Sequence, residues 1–290
     1  MKLTFLGTSA AEEYPGIWCG CENCEKARML GGKNIRRNSS IMIDGDTMID
    51  IGKTAHVQAK RFGLDLRGIR TLLVTHAHSD HFDTHMLWAR NMTTGCGGLR
   101  GCERLAASSP RFTELPALAI LGSKQVAAAL ESEVDYAAPG SGLNFIVICP
   151  YEEHTAGGWE IVTLDGNHTD GDGRSINYIL SRKGRTFLYL TDSGWPFDKT
   201  LDTIARYKYD FIITEGTFGY GADSEGHMRL DKNIRLLEFF NKNRLWKNEP
   251  AYYLTHLAPH WCPPHDEYAP VVEANGMRLA FDGLELEYPY

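Results

Sequence analysis

The sequence predicts an α/β sandwich, two mixed β-sheets packed face to face with helices covering their outer surfaces. Three observations lead there. Short runs rich in β-branched and aromatic residues far outnumber runs with helical periodicity. Many of those runs are neighbours joined by tight turn pairs such as Asp44-Gly45 and Lys183-Gly184, a hairpin signature. The chain is 290 residues long and 43% hydrophobic, enough for a sizeable core, and its length fits one domain over 1–290 better than two independent ones.

In chain order, KLTFLG opens the first sheet and stops at Gly7, and SSIMIDG and DTMIDIG flank the Asp44-Gly45 turn. IRTLLVTH carries an apolar run up to His76. Residues 82–116, which include GCGGLRGCERLAASSP, show no sustained period and read as an irregular insertion or loop beside the site. Beyond it come the strand LAILG, the helix SKQVAAALES and the strands NFIVICP, WEIVTLDG, INYILS and RTFLYLTD. The helix PFDKTLDTIARYK, the strand YDFIITEG, the helix LDKNIRLLEFFNKNRL and the strands AYYLTH and MRLAFDGLELE complete the chain. There is no internal repeat and no low-complexity linker.

Composition narrows the function. A net charge of -7 argues against the basic face that DNA or long RNA needs, while a small anionic substrate at a local positive site stays allowed. The amino terminus lacks the apolar region of a signal peptide, and no window approaches the ~18–20 apolar residues of a membrane span, so a soluble cytoplasmic protein is expected. Seven cysteines is an odd count. Three of them fall within six residues, a spacing suited to a metal rather than to a disulfide framework, and reduced thiols are expected.

The stretch VTHAHSDHFD concentrates metal-ligand types at the end of an apolar run. His76 and His78, at i and i+2 in a strand-to-loop turn, can converge on one point, and Asp80 and His81 on a second close by. Further along, His168 follows WEIVTLDGN, Asp192 follows RTFLYLT and His256 follows AYYLT, each expected just beyond a strand end. A lone histidine there is usually a cap or a surface residue, but chance does not repeat the placement at successive strand ends, where open sheets place ligands. Seven ligands suit two metal ions. His76, His78 and His168 would hold one, Asp80, His81 and His256 the other, and Asp192 would bridge them. Imidazole nitrogens and carboxylate oxygens suit zinc, manganese or iron. Two ions roughly 3.5–4 Å apart can share a hydroxide and clamp the oxygens of a displacement at phosphorus. Two divalent cations, two aspartates and one hydroxide leave a single positive charge, suited to a monoanionic phosphodiester.

THAHSDH, with Gly7-Thr8 on the first strand and His168, Asp192 and His256 following in order, resembles the HxHxDH pattern of the metallo-β-lactamase superfamily. The resemblance covers essentially the whole chain and implies an αββα sandwich with a dinuclear site at one edge. That scaffold hosts phosphodiesterases, ribonucleases, thioesterases and lactamases. Dinuclear lactamases of the common type carry cysteine where Asp192 stands, which sets them aside.

A second cluster, Cys19, Cys21 and Cys24, has the C-x-C-x-x-C spacing that can wrap three thiolates around a structural zinc; the alternative is three incidental buried cysteines. The segment THLAPHWCPPH offers His260, Cys262 and His265 for the fourth position. This arrangement is similar to the PhnP subfamily of phosphodiesterases, and the similarity implies His260, although its spacing from His256 is one residue longer than the subfamily's H-x-x-H. Relatives acting in pyrroloquinoline quinone biosynthesis carry a similar cluster, which leaves the pathway open. The resemblance also implies that His227 lies near the substrate phosphate and protonates the leaving alkoxide, so that Asp80 and His227 are the residues expected to act in the reaction.

Other residues carry less. Glu215 ends YDFIITE and is expected to hydrogen-bond a ligand histidine. His85 is expected to be structural or solvent-facing, Cys96, Cys102 and Cys149 to be ordinary thiols, and nothing requires Trp88 or Arg90 to line the pocket. The expected function is hydrolysis of a small phosphodiester of the cyclic phosphate or nucleotide type, by a chain compatible with a homodimer. Three rivals share the fold. A thioester hydrolase should lack the cysteine cluster and His227, a tRNA-processing endonuclease needs a basic arm, and an accessory protein of cofactor biosynthesis would hold metals without turnover.

Overall fold

The computed structural model describes residues 1–95, 98 and 113–290. Its first half runs β1 (Lys2–Gly7), α1 (Glu22–Leu30), β2 (Ser40–Ile43), β3 (Thr47–Ile49), α2 (Ala55–Arg61), β4 (Thr71–Leu73), α3 (Thr84–Thr93), β5 (Leu118–Gly122), α4 (Lys124–Glu131) and β6 (Leu143–Val147). The second half runs β7 (Glu153–Ala156), β8 (Trp159–Asp170), β9 (Gly173–Arg182), β10 (Arg185–Leu190), α5 (Asp198–Ile204), β11 (Phe211–Glu215), α6 (Leu230–Lys242), β12 (Tyr252–Thr255), α7 (His265–Ala274), β13 (Arg278–Leu279) and β14 (Glu285–Glu287).

These strands make two seven-stranded sheets, ordered β14-β1-β2-β3-β4-β5-β6 and β13-β12-β11-β10-β9-β8-β7. Both are mixed. In the first, β3 to β6 run parallel and the remaining pairs antiparallel; in the second, β10 to β13 are parallel and β7 to β10 antiparallel. The αββα sandwich is therefore observed.

Strand β10 shows why its sequence is apolar without a break. Phe187 and Tyr189 point between the sheets, beside Phe5 and Phe211, whereas Leu188 and Leu190 point outward onto Leu236 and Phe240 of α6. A strand covered on both faces needs no polar alternation. Helices α2, α3 and α4 cover the other sheet in the same way. Between the sheets, Phe187 stacks on Phe211 with ring centroids 4.8 Å apart, and buried Trp159 donates its indole N–H to Thr47 Oγ1 at 2.9 Å. The hairpin after β9 turns through Lys183 and Gly184, both at positive φ (48° and 80°), as the dipeptide predicted.

Four helices and one strand escaped the sequence reading. Helix α3 lies inside the stretch expected to be irregular, so that reading fails for residues 84–93. Asp83 caps it by accepting the His85 N–H at 3.1 Å, and within α3 Leu87 and Asn91 are buried, too narrow a stripe to show as a period. Cys96 and Cys102 lie outside the described residues. Helix α7 was hidden by Pro270 within it, and α1 and α2 are short. MRLAFDGLELE is not one strand but two, β13 and β14, belonging to different sheets.

Candidate metal centre

The parallel strands β3, β4, β10, β11 and β12 all end at one edge of the sandwich, and the polar residues that follow them meet there. Asp50 follows β3, His76 to His81 follow β4, Asp192 follows β10, and His256 follows β12. His168 is a correction, because it lies inside the long strand β8 rather than beyond its end. The β8–β9 register shifts between Asp165 and Thr169, and that irregularity turns the ring toward the edge. Asp50, Asp192 and His256 adopt left-handed φ of 61°, 52° and 57°, a conformation that only short polar residues and glycine accept readily. Gly52 lets the backbone at Asp80 come close: a Cβ there would sit 1.9 Å from the Asp80 carbonyl oxygen.

Seven side chains converge as two sets sharing one oxygen. His76 Nε2 lies 2.9 Å from His78 Nδ1, which lies 3.4 Å from His168 Nε2. His81 Nε2 lies 3.1 Å from His256 Nε2, and Asp80 Oδ2 is 3.3 Å and 3.7 Å from those two nitrogens. Asp192 Oδ2 stands between the sets, 3.1 Å from His76, 3.3 Å from His81, 3.5 Å from His168 and 3.8 Å from His256.

The donor chemistry fits metal ions. His81 donates its Nδ1–H to Asp50 Oδ2 at 2.7 Å, and His256 donates its Nδ1–H to Thr217 Oγ1 at 2.9 Å while the threonine hydroxyl bonds the His256 carbonyl. With those protons on the outer nitrogens, the inward Nε2 atoms face each other as lone pairs in a buried place. Such packing is repulsive unless a cation stands between them, and N/O sets of this kind hold divalent ions.

Sequence reasoning missed Asp50 and Thr217. Asp50 is fully buried and also accepts bonds from the Thr75 backbone N–H (2.8 Å) and hydroxyl, so it holds both His81 and the turn that carries His76. The rule that found the others, the first polar residue past a strand, applies equally to DTMIDIG. Asp50→Asn is expected to weaken metal binding by about 10–100-fold with the fold intact. Metal titration alongside a thermal melt checks it; unchanged affinity would make Asp50 a purely structural residue.

The field in the site follows from burial and neighbours. Burial works to raise the Asp80 pKa, but the charges of His81 and His256 outweigh it and hold the carboxyl well below its ordinary range. Burial, helped by the neighbouring histidines His76, His227 and His78 and opposed by Asp192, pushes His168 down to about 4. His227, from the loop before α6, donates its Nδ1–H to Glu215 Oε1 at 3.0 Å and lies 3.3 Å from Asp192 Oδ1. Burial works against its proton, yet the Glu215 carboxylate prevails and raises its pKa to about 9. Glu215 is thus the partner of His227 and not of a clustered histidine; its fully buried carboxylate also accepts the N–H groups of Ser193 and Thr217.

At the neighbouring corner the sulfurs of Cys19, Cys21 and Cys24 lie within 4.8 Å of one another. Cys21 immediately precedes α1 and Cys24 sits in its first turn, so a helix N-terminus faces the sulfurs. The N–H groups of Gly16 and Cys21 point at Cys24 Sγ (3.2 Å) and Cys19 Sγ (3.4 Å). The Cys21 N–H lowers the Cys19 pKa, while burial pushes Cys24 up to about 12, so Cys24 resists deprotonation without a cation. His260 Nδ1 lies 3.8 Å from Cys19 Sγ. The other two candidates are engaged elsewhere: Cys262 bonds to the carbonyls of Gly216 and Thr217, and buried His265 meets Arg36 Nη2 at 2.9 Å. His85 is exposed and stacks on Trp88, Arg90 lines an apolar cavity with Met48 and Leu118, and Cys149 is exposed.

Comparison with known proteins places this geometry. The model of the family described as "Beta-lactamase superfamily domain" matches residues 45–247. No curated protein matches the chain. Among solved structures, a diphosphatase from the PhnP family is similar over 99% of this chain and 98% of its own, with TM-score 0.71 and 20% identity. Zn(2+)-bound PqqB from Methylobacterium extorquens is similar over 99% and 100%, with TM-score 0.73 and 16% identity. The short form of human tRNase Z covers both chains fully, with TM-score 0.62 and 17% identity. With the two-sheet sandwich, the strand-edge histidines and the matched family model together, the chain belongs to the beta-lactamase superfamily, as a metal-binding hydrolase.

Proposed function

We propose that the chain is a dinuclear metal-dependent phosphodiesterase acting on small diesters of the cyclic phosphate or nucleotide type. The observation that carries the reading is the position of Asp192 Oδ2, shared between two histidine sets, with the Glu215–His227 ion pair beside it. Two divalent ions, zinc or manganese with iron also compatible, would activate water near neutral pH and neutralise charge on phosphoryl oxygens. His76, His78 and His168 would hold one ion, Asp80, His81 and His256 the other, and Asp192 would be shared between the two sets. Glu215 holds the His227 ring and its Nδ1 proton, leaving Nε2 to donate a proton to the departing alkoxide. The PhnP-family diphosphatase supports the phosphoryl chemistry.

Cys19, Cys21, Cys24 and His260 would hold a third ion, a structural zinc, and so tie the amino-terminal loop to the segment after His256. Asn23 Nδ2 already bridges the two, donating to the carbonyls of Pro259 (2.9 Å) and Cys262 (3.1 Å). The tRNA-processing alternative is disfavoured by the net charge of -7. Among the described residues no helix is long and apolar enough to cross a membrane.

The reading is tested with manganese- and zinc-loaded protein on a ribose cyclic phosphate, a 2′,3′-cyclic nucleotide, bis(4-nitrophenyl) phosphate and a glutathione thioester. Diester turnover with an inert thioester is expected. Thioester cleavage alone would move the chain to the other hydrolase class, and silence across the panel with metals bound would favour an accessory role. For His227→Asn, turnover of an unactivated alkyl diester is expected to drop about 10²–10⁴-fold, with little change for a nitrophenolate leaving group that needs no proton. Equal losses on both would remove the acid role and leave a contact role.

A further inference from the structure

The metal cleft, about 230 Å³, has a wall residue that the reading above does not use. Glu12 lies in the loop after β1 and lines the cleft beside His78, His168, Phe218 and His227. That loop is fixed at both strand edges: the Ser9 N–H donates to the Arg37 carbonyl (2.8 Å), the Ala10 N–H to the Leu257 carbonyl (3.1 Å), and Asn38 Nδ2 to the Ala10 carbonyl (3.1 Å). Glu13 adopts φ 63° and turns the other way to pair with Arg37. The two adjacent carboxylates therefore have opposite fates.

Among the described residues no hydrogen bond or ion pair holds the half-buried Glu12 carboxylate, whereas Asp80 and Asp192 on the same cleft both have partners. Its field reaches His227 and helps hold that proton. An unpaired carboxylate opposes the entry of an anionic substrate unless the substrate brings it a donor. The phosphoryl oxygens cannot supply one, so the donor must sit on the organic group. Phe218 gives that group an aromatic wall, its ring 5.0 Å from His227 and 5.5 Å from Trp261.

We propose that Glu12 is a specificity residue that selects phosphoesters whose organic group carries a hydrogen-bond donor, an ammonium above a hydroxyl. The proposal rests on the phosphoester reading of the site. Charge-assisted bonds are the stronger kind, and leaving the carboxylate unpaired against an analogue without a donor sharpens the discrimination.

Calorimetric titration of metal-loaded protein with ethyl phosphate, 2-hydroxyethyl phosphate and 2-aminoethyl phosphate tests it without any need for turnover. The wild type is expected to bind the aminoethyl ester at least about 10-fold more tightly than the ethyl ester, with the hydroxyethyl ester between them. In Glu12→Gln the aminoethyl preference should shrink to within about threefold, and ethyl phosphate should bind as well as before or better, since a repelling charge has gone. A wild type that does not discriminate, or a preference that survives in Glu12→Gln, overturns the role of Glu12 alone. Failure of all three esters to bind overturns this proposal, and joined to silence on the diester panel it overturns the phosphodiester reading as well.

Discussion

Asp192→Asn is expected to lower diester turnover by at least about 10³-fold and to leave fewer than two ions per active site after dialysis. Asparagine keeps the shape of aspartate and tolerates the left-handed φ of 52°, so backbone strain does not enter the comparison. What is lost is the negative charge and one of the two carboxylate oxygens beside His76 and His81, from which Oδ2 stands 3.1 Å and 3.3 Å. Without it Asp80 is the one carboxylate left among the clustered ligands, and two dications at close range repel each other with less to offset them. Metal analysis and kcat/KM on bis(4-nitrophenyl) phosphate are read together, with a melt to show that the sandwich persists. Full turnover with both ions retained would remove the bridging role.

For Cys24→Ser the expected loss is stability rather than chemistry. Cys24 is buried, and its sulfur lies with Cys19 and Cys21 at the corner where the amino-terminal loop meets residues 259–262. Removing one of four donors should release the zinc and cost at least about 2 kcal/mol, a drop of roughly 5 °C in Tm for a domain of this size. The neighbouring Asn23 and Tyr14 bonds to the Cys262 carbonyl remain, so the metal cleft should keep kcat within about threefold per folded molecule. Zinc content, Tm and kcat of the folded fraction are the readouts. Normal melting with dead catalysis would show that the cluster serves the reaction directly.

How much of the site was legible in the chain depends on how each residue reaches the edge. His76, His78, Asp80 and His81 are local, spaced within one turn after an apolar strand, so spacing alone reveals them. Asp192 and His256 are distant in sequence but obey one positional rule, because parallel strands deliver the residues after their ends to the same edge. His168 was found by pattern and misplaced by that rule, since a strand irregularity brings it inward and no single sequence announces such a shift. Asp50, Thr217 and Glu12 were overlooked because their roles are relational. Asp50 matters through the imidazole it orients, and Glu12 stands out only beside a neighbour whose charge is satisfied.

The chain by itself determined the two-sheet sandwich, through its alternation of apolar runs and turn pairs, and the identity of the seven side chains that cluster at its edge. Both follow from short-range rules: a strand buried on two faces must be apolar, and the turn at its end is the first place a polar side chain can stand. The tertiary structure decided which nitrogen of each imidazole faces inward, which candidate approaches the cysteines, and that Glu215 serves His227. Those outcomes depend on hydrogen bonds between residues tens to hundreds of positions apart, as between His81 and Asp50, Cys19 and His260, or Thr217 and His256. A bond of that kind exists only after the strands carrying its two ends have been brought together, as neighbours in one sheet for His81–Asp50 and Thr217–His256 and across the two sheets for Cys19–His260.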